Sequence, residues 1–184
     1  MTTRRRFLAA AAASLLAAPA VAQQVVRIPR DWVPTDVEVG GSLPAGTIYG
    51  DVENTWLYLG LGDGMARRYK IAVGAPGRTF QGEAYVARKA EWPSWVPTRE
   101  MIAIEPEVYG PYAGGLPGGH AYNPLGARAL YLYQNGRDTF YRIHGTPQPW
   151  TMGQKFSSGC LRLINDHAID LYDRVPVGTR VVVA

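Results

Sequence analysis

The 184-residue chain has a single cysteine, Cys160, only three histidines, and no Asp or Glu in its first 22 positions. Each scarcity excludes something. One cysteine cannot form an internal disulfide, and with three dispersed histidines it lacks the ligand spacing of a zinc site, so no metal is expected. No apolar run reaches the roughly 20 residues of a membrane span, so no stable membrane insertion is expected for the processed chain. Internal repeats are absent. The glycines near 74–77 and 114–119 lack the following Lys-Ser/Thr or the βαβ setting of a phosphate-binding loop, and no cofactor is expected.

The formal net charge of +4 at first suggests a polyanion partner. Its source is local. Arg4, Arg5 and Arg6 precede an apolar run from Phe7 to Ala13, resumed at Leu15 and Leu16, and Ala20-Val21-Ala22 supplies a small-x-small cleavage site. Residues 1–22 therefore read as an export signal. Thr3-Arg4-Arg5-Arg6-Phe7-Leu8 resembles the twin-arginine export consensus, with an Arg-rich general secretory signal as the alternative. No Cys follows the cleavage site, which excludes lipid anchoring there. Without those 22 residues, 19 − 3 = 16 basic residues face 15 acidic ones, leaving about +1. No nucleic-acid partner is expected of so balanced a chain.

What remains is one domain long, and its 47% hydrophobic content is ample for a core. Residues 23–46 carry prolines and little periodicity, and read as an N-terminal arm. From Thr47 the chain turns to short strands separated by glycine-rich turns: Thr47–Gly50, Thr55–Leu59, Arg67–Val73 and Gly82–Arg88. Two prolines keep Trp92–Pro97 out of a regular central strand. Thr98–Ala103 is a candidate short helix, and Glu105–Gly119 reads as a long irregular loop. Arg128–Tyr133 and Thr139–His144 flank Asn135-Gly136, the pair that a type I′ hairpin turn prefers. Asn165 and Asp166 read as the cap of a helix running to about Arg174, ended by Pro176 and Gly178, and Thr179–Val183 as a last strand. The expectation is a mainly β sandwich or barrel with one short C-terminal helix and long loops around the site.

Cys160 has three readings: a buried apolar residue, an intermolecular bridge, or a reactive thiol. Ser157-Ser158-Gly159 is a small-residue turn, which would expose the sulfur. A thiol with a pKa near 8.5 is only about 3% thiolate at pH 7, so a nucleophilic cysteine needs a base nearby. His144 ends a strand, is followed by the permissive Gly145, and lies 160 − 144 = 16 residues before Cys160. His120 sits in a Gly-rich loop and is the reserve candidate for the base. His167 reads as a surface or capping residue.

The ordered blocks His144-Gly145-Thr146, Pro149-Trp150-Thr151-Met152-Gly153 and Ser157-Ser158-Gly159-Cys160-Leu161-Arg162-Leu163 resemble the active-site signature of the YkuD-type L,D-transpeptidase catalytic domain. Trp92-Pro93-x-Trp95-x-Pro97 and Asn123–Leu132 resemble its upstream blocks, so the likeness covers residues 47–184. It implies a β-sandwich-like catalytic domain in the periplasm or cell envelope, acting on peptidoglycan stem peptides. Cys160 would be the nucleophile and His144 its base. Backbone N–H groups at Gly159 and Cys160 would serve the oxyanion, with Ser158 and Gly145 as orienting residues. Arg162, Ser157 and Trp150 would bind substrate, Arg162 by taking a carboxylate or by bracing the loop. Many members carry His where this chain has Ser158. An L,D-carboxypeptidase, an enzyme anchoring proteins to peptidoglycan, and a non-catalytic peptidoglycan-binding module remain as alternatives.

Overall fold

Alternation along the strands sorts one apolar face from one mixed face. In the computed structural model, which describes residues 27–41 and 43–184, the elements in chain order are β1 (Thr35–Glu38), β2 (Ile48–Asp51), β3 (Trp56–Gly62), β4 (Met65–Lys70), β5 (Val73–Gly74), β6 (Gly82–Glu91), α1 (Arg99–Ile104), α2 (Pro106–Tyr109), β7 (Arg128–Gln134), β8 (Arg137–His144), β9 (Lys155–Ser157), β10 (Leu161–Arg162), α3 (Asn165–Arg174) and β11 (Arg180–Val183). The expected export segment, 1–22, lies outside the described residues. Among those described, no helix is long and apolar enough to cross a membrane.

Nine strands form one sheet in the order β1-β4-β3-β2-β11-β6-β7-β8-β10, and β5 pairs with β9 in a small second sheet. The large sheet curls until the chain leaving β4 meets its far edge, β10. Just beyond β4, Ala72 exchanges both backbone hydrogen bonds with Arg162 of β10, at 3.0 and 2.8 Å. The mainly β architecture with a C-terminal helix is thus the one expected, and the curl makes it barrel-like. Ile48, Leu57, Leu59, Val86, Leu130, Leu132, Ile143, Leu161 and Val181 point inward, and Ala168 and Leu171 of α3 join them in one core. Each fully buried Leu or Ile contributes roughly 1.5–3 kcal/mol, which is what holds the curl against chain entropy.

The Asn135-Gly136 turn has both residues at positive φ, 51° and 74°, as a type I′ hairpin requires. Helix α3 departs from its expected capping. Ile164 occupies the N-cap without a side-chain bond, and Asn165 instead accepts from the Ala127 N–H at 2.9 Å. At the other end, Lys89 donates to the carbonyls of Tyr172 and Val175, 2.6 and 2.7 Å, satisfying acceptors that the helix leaves open. His167 is buried on this helix rather than at the surface as expected, because the helix turns its Ala168–Leu171 stripe and the preceding residue against the sheet. The 105–119 loop is not wholly irregular: Pro106 starts the turn of helix α2 within it.

The arm is stitched on. Its strand β1 adds to the edge at β4, and Ile28 and Trp32 pack on Ala72, Met152 and Ile164, over the seam where the sheet closes. Arg67 joins arm and helix, donating to Asp36 and to Asp170, both at 2.8 Å. Asp170 also accepts from the Tyr69 hydroxyl (2.7 Å) and from Arg174 (3.0 Å). Burial alone would raise the Asp170 pKa, but hydrogen bonds from Arg174, Tyr69 and Arg67 outweigh it and hold the carboxyl at about 2. A carboxylate depressed in the folded state stabilises above its unfolded pKa, near 3.9, and that contribution fades as pH falls through about 2. After allowance for solvent screening it is worth about 1–2 kcal/mol. Asp170→Asn is expected to lower urea-unfolding stability by that amount at pH 7. The gap from wild type should narrow between pH 4 and pH 2, and a gap independent of pH would count against this account.

Candidate functional site

The mixed face of the sheet at β6, β7, β8 and β10 is the floor of a cleft of about 860 Å³. Its side chains form a grid set by strand register. Arg88 on β6 pairs with Tyr131 on β7, and Tyr131 with Arg142 on β8. Two residues along, Ala90 pairs with Ala129 and Ala129 with His144. The last strand, β10, runs parallel to β8 with Leu161 opposite Ile143 and Arg162 opposite His144. Carried back one residue, this register sets Cys160 opposite Arg142. The two rows are Arg88-Tyr131-Arg142-Cys160 and Ala90-Ala129-His144-Arg162. Cys160 and His144 are therefore diagonal neighbours on adjacent strands, with backbones roughly 7–8 Å apart, and both line the cleft.

The turn that delivers Cys160 is held from both sides. Strand β9 is pinned by Val73 N–H to Gln154 (3.0 Å) and Ala75 N–H to Ser157 (2.9 Å), and β10 by the Ala72 bridge. Gly159 between them has φ of 127°, which only glycine adopts freely, and a Cβ there would collide with the Arg78 carbonyl and the Tyr141 ring. Ser157 is buried, donates to the Cys160 carbonyl at 3.2 Å and accepts from the Gly159 N–H at 3.3 Å. The Gly159 N–H is thus already engaged, whereas the Cys160 N–H has no partner among the described residues. Cys160 is partly exposed.

His144 is 3% exposed, and its Nδ1 lies 2.6 Å from the Gly145 carbonyl. A carbonyl only accepts, so Nδ1 carries the proton and Nε2 is left with a free lone pair. Position 145 has room only for glycine, because Asn165 Oδ1 and the Ala127 backbone nitrogen crowd the place where a Cβ would stand. Burial, then the Arg162 charge, push the imidazole pKa down to about 3, against weaker support from the Gly145 and Pro124 backbones. Burial pushes the Cys160 thiol up, opposed by the Arg142 backbone and by the Arg142 and Arg162 charges. Both shifts favour the neutral forms, imidazole and thiol.

Arg162 lines the cleft, with Nε buried and without a hydrogen-bond partner among the described residues, and its guanidinium lies 4.9 Å from the Phe156 ring centre. Ser158 pairs its hydroxyl with that of Tyr109 at 2.7 Å, tying the turn to the roof formed by α1 and α2 rather than to the imidazole. Arg78 adds a second tie across the cleft, to Glu105 at 2.6 Å. Trp150, expected to bind substrate, is 57% exposed in a 3-10 turn and does not line the cleft. His120, the reserve base, is exposed with its Nδ1 accepting from the Tyr122 N–H, also away from the cleft. Sequence reading missed Arg88, Tyr131 and Tyr109. Arg142 was within reach, since period-2 alternation puts it on the face of His144. Among the described residues no group of three His, Cys, Asp or Glu is arranged to hold a metal.

Strand register thus brings Cys160 and His144 to one cleft floor, with a backbone carbonyl at the imidazole Nδ1. The family model of the YkuD L,D-transpeptidase catalytic domain matches residues 47–183, and the chain belongs to that family. The probable L,D-transpeptidase YbiS of Escherichia coli K12 is 32% identical over 151 residues, 81% of this chain and 47% of its own length. The chain thus spans about half the length of such curated relatives. A crystal structure from Brucella melitensis, described as a probable carnitine operon oxidoreductase, is 50% identical with a TM-score of 0.57, covering 85% of this chain and 96% of its own. Membership rests on the family match, not on that name. The catalytic domain of the Enterococcus faecium L,D-transpeptidase, at 21% identity, shares the fold with a TM-score of 0.55 over 78% of this chain and all of its own.

The neutral pair has a kinetic signature. Alkylation of Cys160 by iodoacetamide is expected to rise with pH through a single step above the ordinary thiol range, with no step near pH 6.5. A rate already on its plateau at pH 5 to 6 would mean a preformed thiolate-imidazolium pair and overturn this description.

Proposed function

We propose that the protein is an exported cysteine L,D-transpeptidase of the periplasm or cell envelope that acts on peptidoglycan stem peptides. The observation that carries the reading is the diagonal of Cys160 and His144 on the cleft floor, with the imidazole tautomer set by the Gly145 carbonyl. His144 Nε2 takes the thiol proton as Cys160 Sγ attacks the carbonyl of the third stem residue, a diaminopimelate. The transient oxyanion meets the unengaged Cys160 N–H. As the intermediate collapses the C–N bond breaks, the imidazolium returns the proton to the leaving amine of D-Ala, and a thioester remains. An acceptor amine then attacks the thioester to form a cross-link, while water would give a tripeptide. The thioester conserves the energy of the broken peptide bond, so no nucleotide is needed. Export by the twin-arginine route supplies the compartment, and rests on Arg4, Arg5, Arg6 and the apolar run after them.

Incubating the protein with disaccharide tetrapeptide and reading products by mass spectrometry tests this directly. Tetrapeptide-tripeptide dimers are the expected product; tripeptide alone would reassign the protein as a carboxypeptidase, and no turnover with no thiol adduct would make it a binding module. Cys160→Ala should abolish turnover with an unchanged circular dichroism spectrum. His144→Ala should slow acylation by about 10²–10⁴-fold, and an unchanged acylation rate would place the base elsewhere.

A further inference from the structure

One row of the cleft floor, Arg88-Tyr131-Arg142, is not used by the mechanism above. The Arg88 guanidinium lies 3.4 Å from the centre of the Tyr131 ring, and that of Arg142 lies 4.3 Å from it. Their electrostatic situations differ sharply. Arg142 is held two-pronged by Asp138, at 2.7 and 2.9 Å, so its charge is met within the fold. Among the described residues no carboxylate is paired with Arg88. A β-bulge between Val86 and Arg88 places it here: beyond the bulge Lys89 turns inward to α3, and Arg88 and Ala90 face the cleft. A second irregularity, on β8 between Asp138 and Arg142, sets exposed Phe140 at φ 61° beside the same row. Both departures from regular pairing therefore act on one place.

We propose that Arg88, supported on the Tyr131 face, anchors an anionic subsite that binds the distal carboxylate of the donor's diaminopimelate and selects donors in which it is free rather than amidated. The inference rests on the stem-peptide reading above and adds to it a residue and a specificity. The lengths agree. The Tyr131 ring is two strand spacings from Cys160, roughly 10 Å. Six bonds separate the reacting carbonyl carbon from the distal carboxylate carbon, roughly 7–8 Å extended, and a charge-assisted contact of about 2.8 Å completes the span. A guanidinium fork on an aromatic face is preorganised for a planar carboxylate, whereas an amide offers that fork a weaker, uncharged acceptor.

The test compares two tetrapeptide donors that differ only in amidation of the distal carboxylate, on wild type, Arg88→Gln and Arg88→Lys. Wild type should prefer the free acid by at least about tenfold in kcat/KM, mostly through KM. Arg88→Gln should treat the two alike, and Arg88→Lys should recover part of the preference. A preference that survives in Arg88→Gln, or is absent in wild type, overturns the proposal. A second readout needs no peptide: Cys160 alkylation by iodoacetate relative to iodoacetamide should fall several-fold in Arg88→Gln while the iodoacetamide rate stays constant. An unchanged ratio also overturns it. Failure to turn over either peptide would remove the stem-peptide reading instead, and the alkylation ratio would still report on the cation.

Discussion

The parallel pairing of β10 with β8 is the constraint from which the site follows. These two residues of strand set Arg162 against His144 and, one step back, Cys160 against Arg142. Parallel neighbours cannot be joined by a tight hairpin, so the chain between His144 and Leu161 must leave the sheet and return. On the way it lays β9 against β5, which fixes the approach to the Gly159 turn. The same strand closes the barrel through Ala72, so the closure that completes the core also anchors the thiol. A shift of one residue in this register would turn Cys160 and Arg162 into the core and bring Leu161 into the cleft. Fully buried Leu161 and Leu163 oppose that slip, each forfeiting roughly 1.5–3 kcal/mol on exposure.

Burial of His144 has two consequences that pull in different directions. It disfavours the imidazolium, which makes the free residue a poor proton reservoir. It also removes competing water, so backbone carbonyls, Gly145 foremost at 2.6 Å, decide the tautomer. In the proposed mechanism, attack and proton transfer would then belong to one event rather than to a preformed ion pair. The cation that forms is opposed by Arg162, so a bound anion near that guanidinium would ease the step. On the proposed reading, substrate binding and base strength would be coupled through Arg162, whose Nε lacks a partner among the described residues.

Much of this was legible in the residues themselves because the relevant signals are local. Asn135-Gly136 specifies its hairpin through two positive-φ positions, and the hairpin's second strand leads straight to His144. The Ser157–Leu163 block announces its small-residue turn before any pairing is known. What escaped depends on contacts between distant segments. Asn165 reads as a helix cap, and only the approach of Ala127, 38 residues away, redirects its side chain. His167 reads as exposed beside Asp166, until α3 settles on the sheet and buries it. Trp150 falls within the motif yet stands outside the cleft, since proximity in sequence does not order a 3-10 turn toward the thiol. Arg88 lacked any local signal, because the bulge that re-aims it is visible only in the register of β6 against β7.

Charge offers the clearest contrast between the whole and the part. Residues 23–184 hold 16 basic and 15 acidic residues, so the average surface attracts neither sign. The cleft is different: Arg78, Arg88, Arg99, Arg142 and Arg162 line it, against Glu100 and Glu105. Glu105 is committed to Arg78, and Asp138 to Arg142. Arg88, Arg99 and Arg162 are left without a paired carboxylate among the described residues, and two of them, Arg88 beside Tyr131 and Arg162 beside His144, stand at opposite corners of the grid. Low-dielectric walls concentrate the field of such charges, so the cleft can gather an anionic peptide although the chain as a whole is nearly neutral. A stem peptide is anionic at several points along its length. If the proposed substrate is the right one, the cations at the two corners would hold it at two of those points, which would constrain its direction across the strands and hence which carbonyl is presented to Cys160.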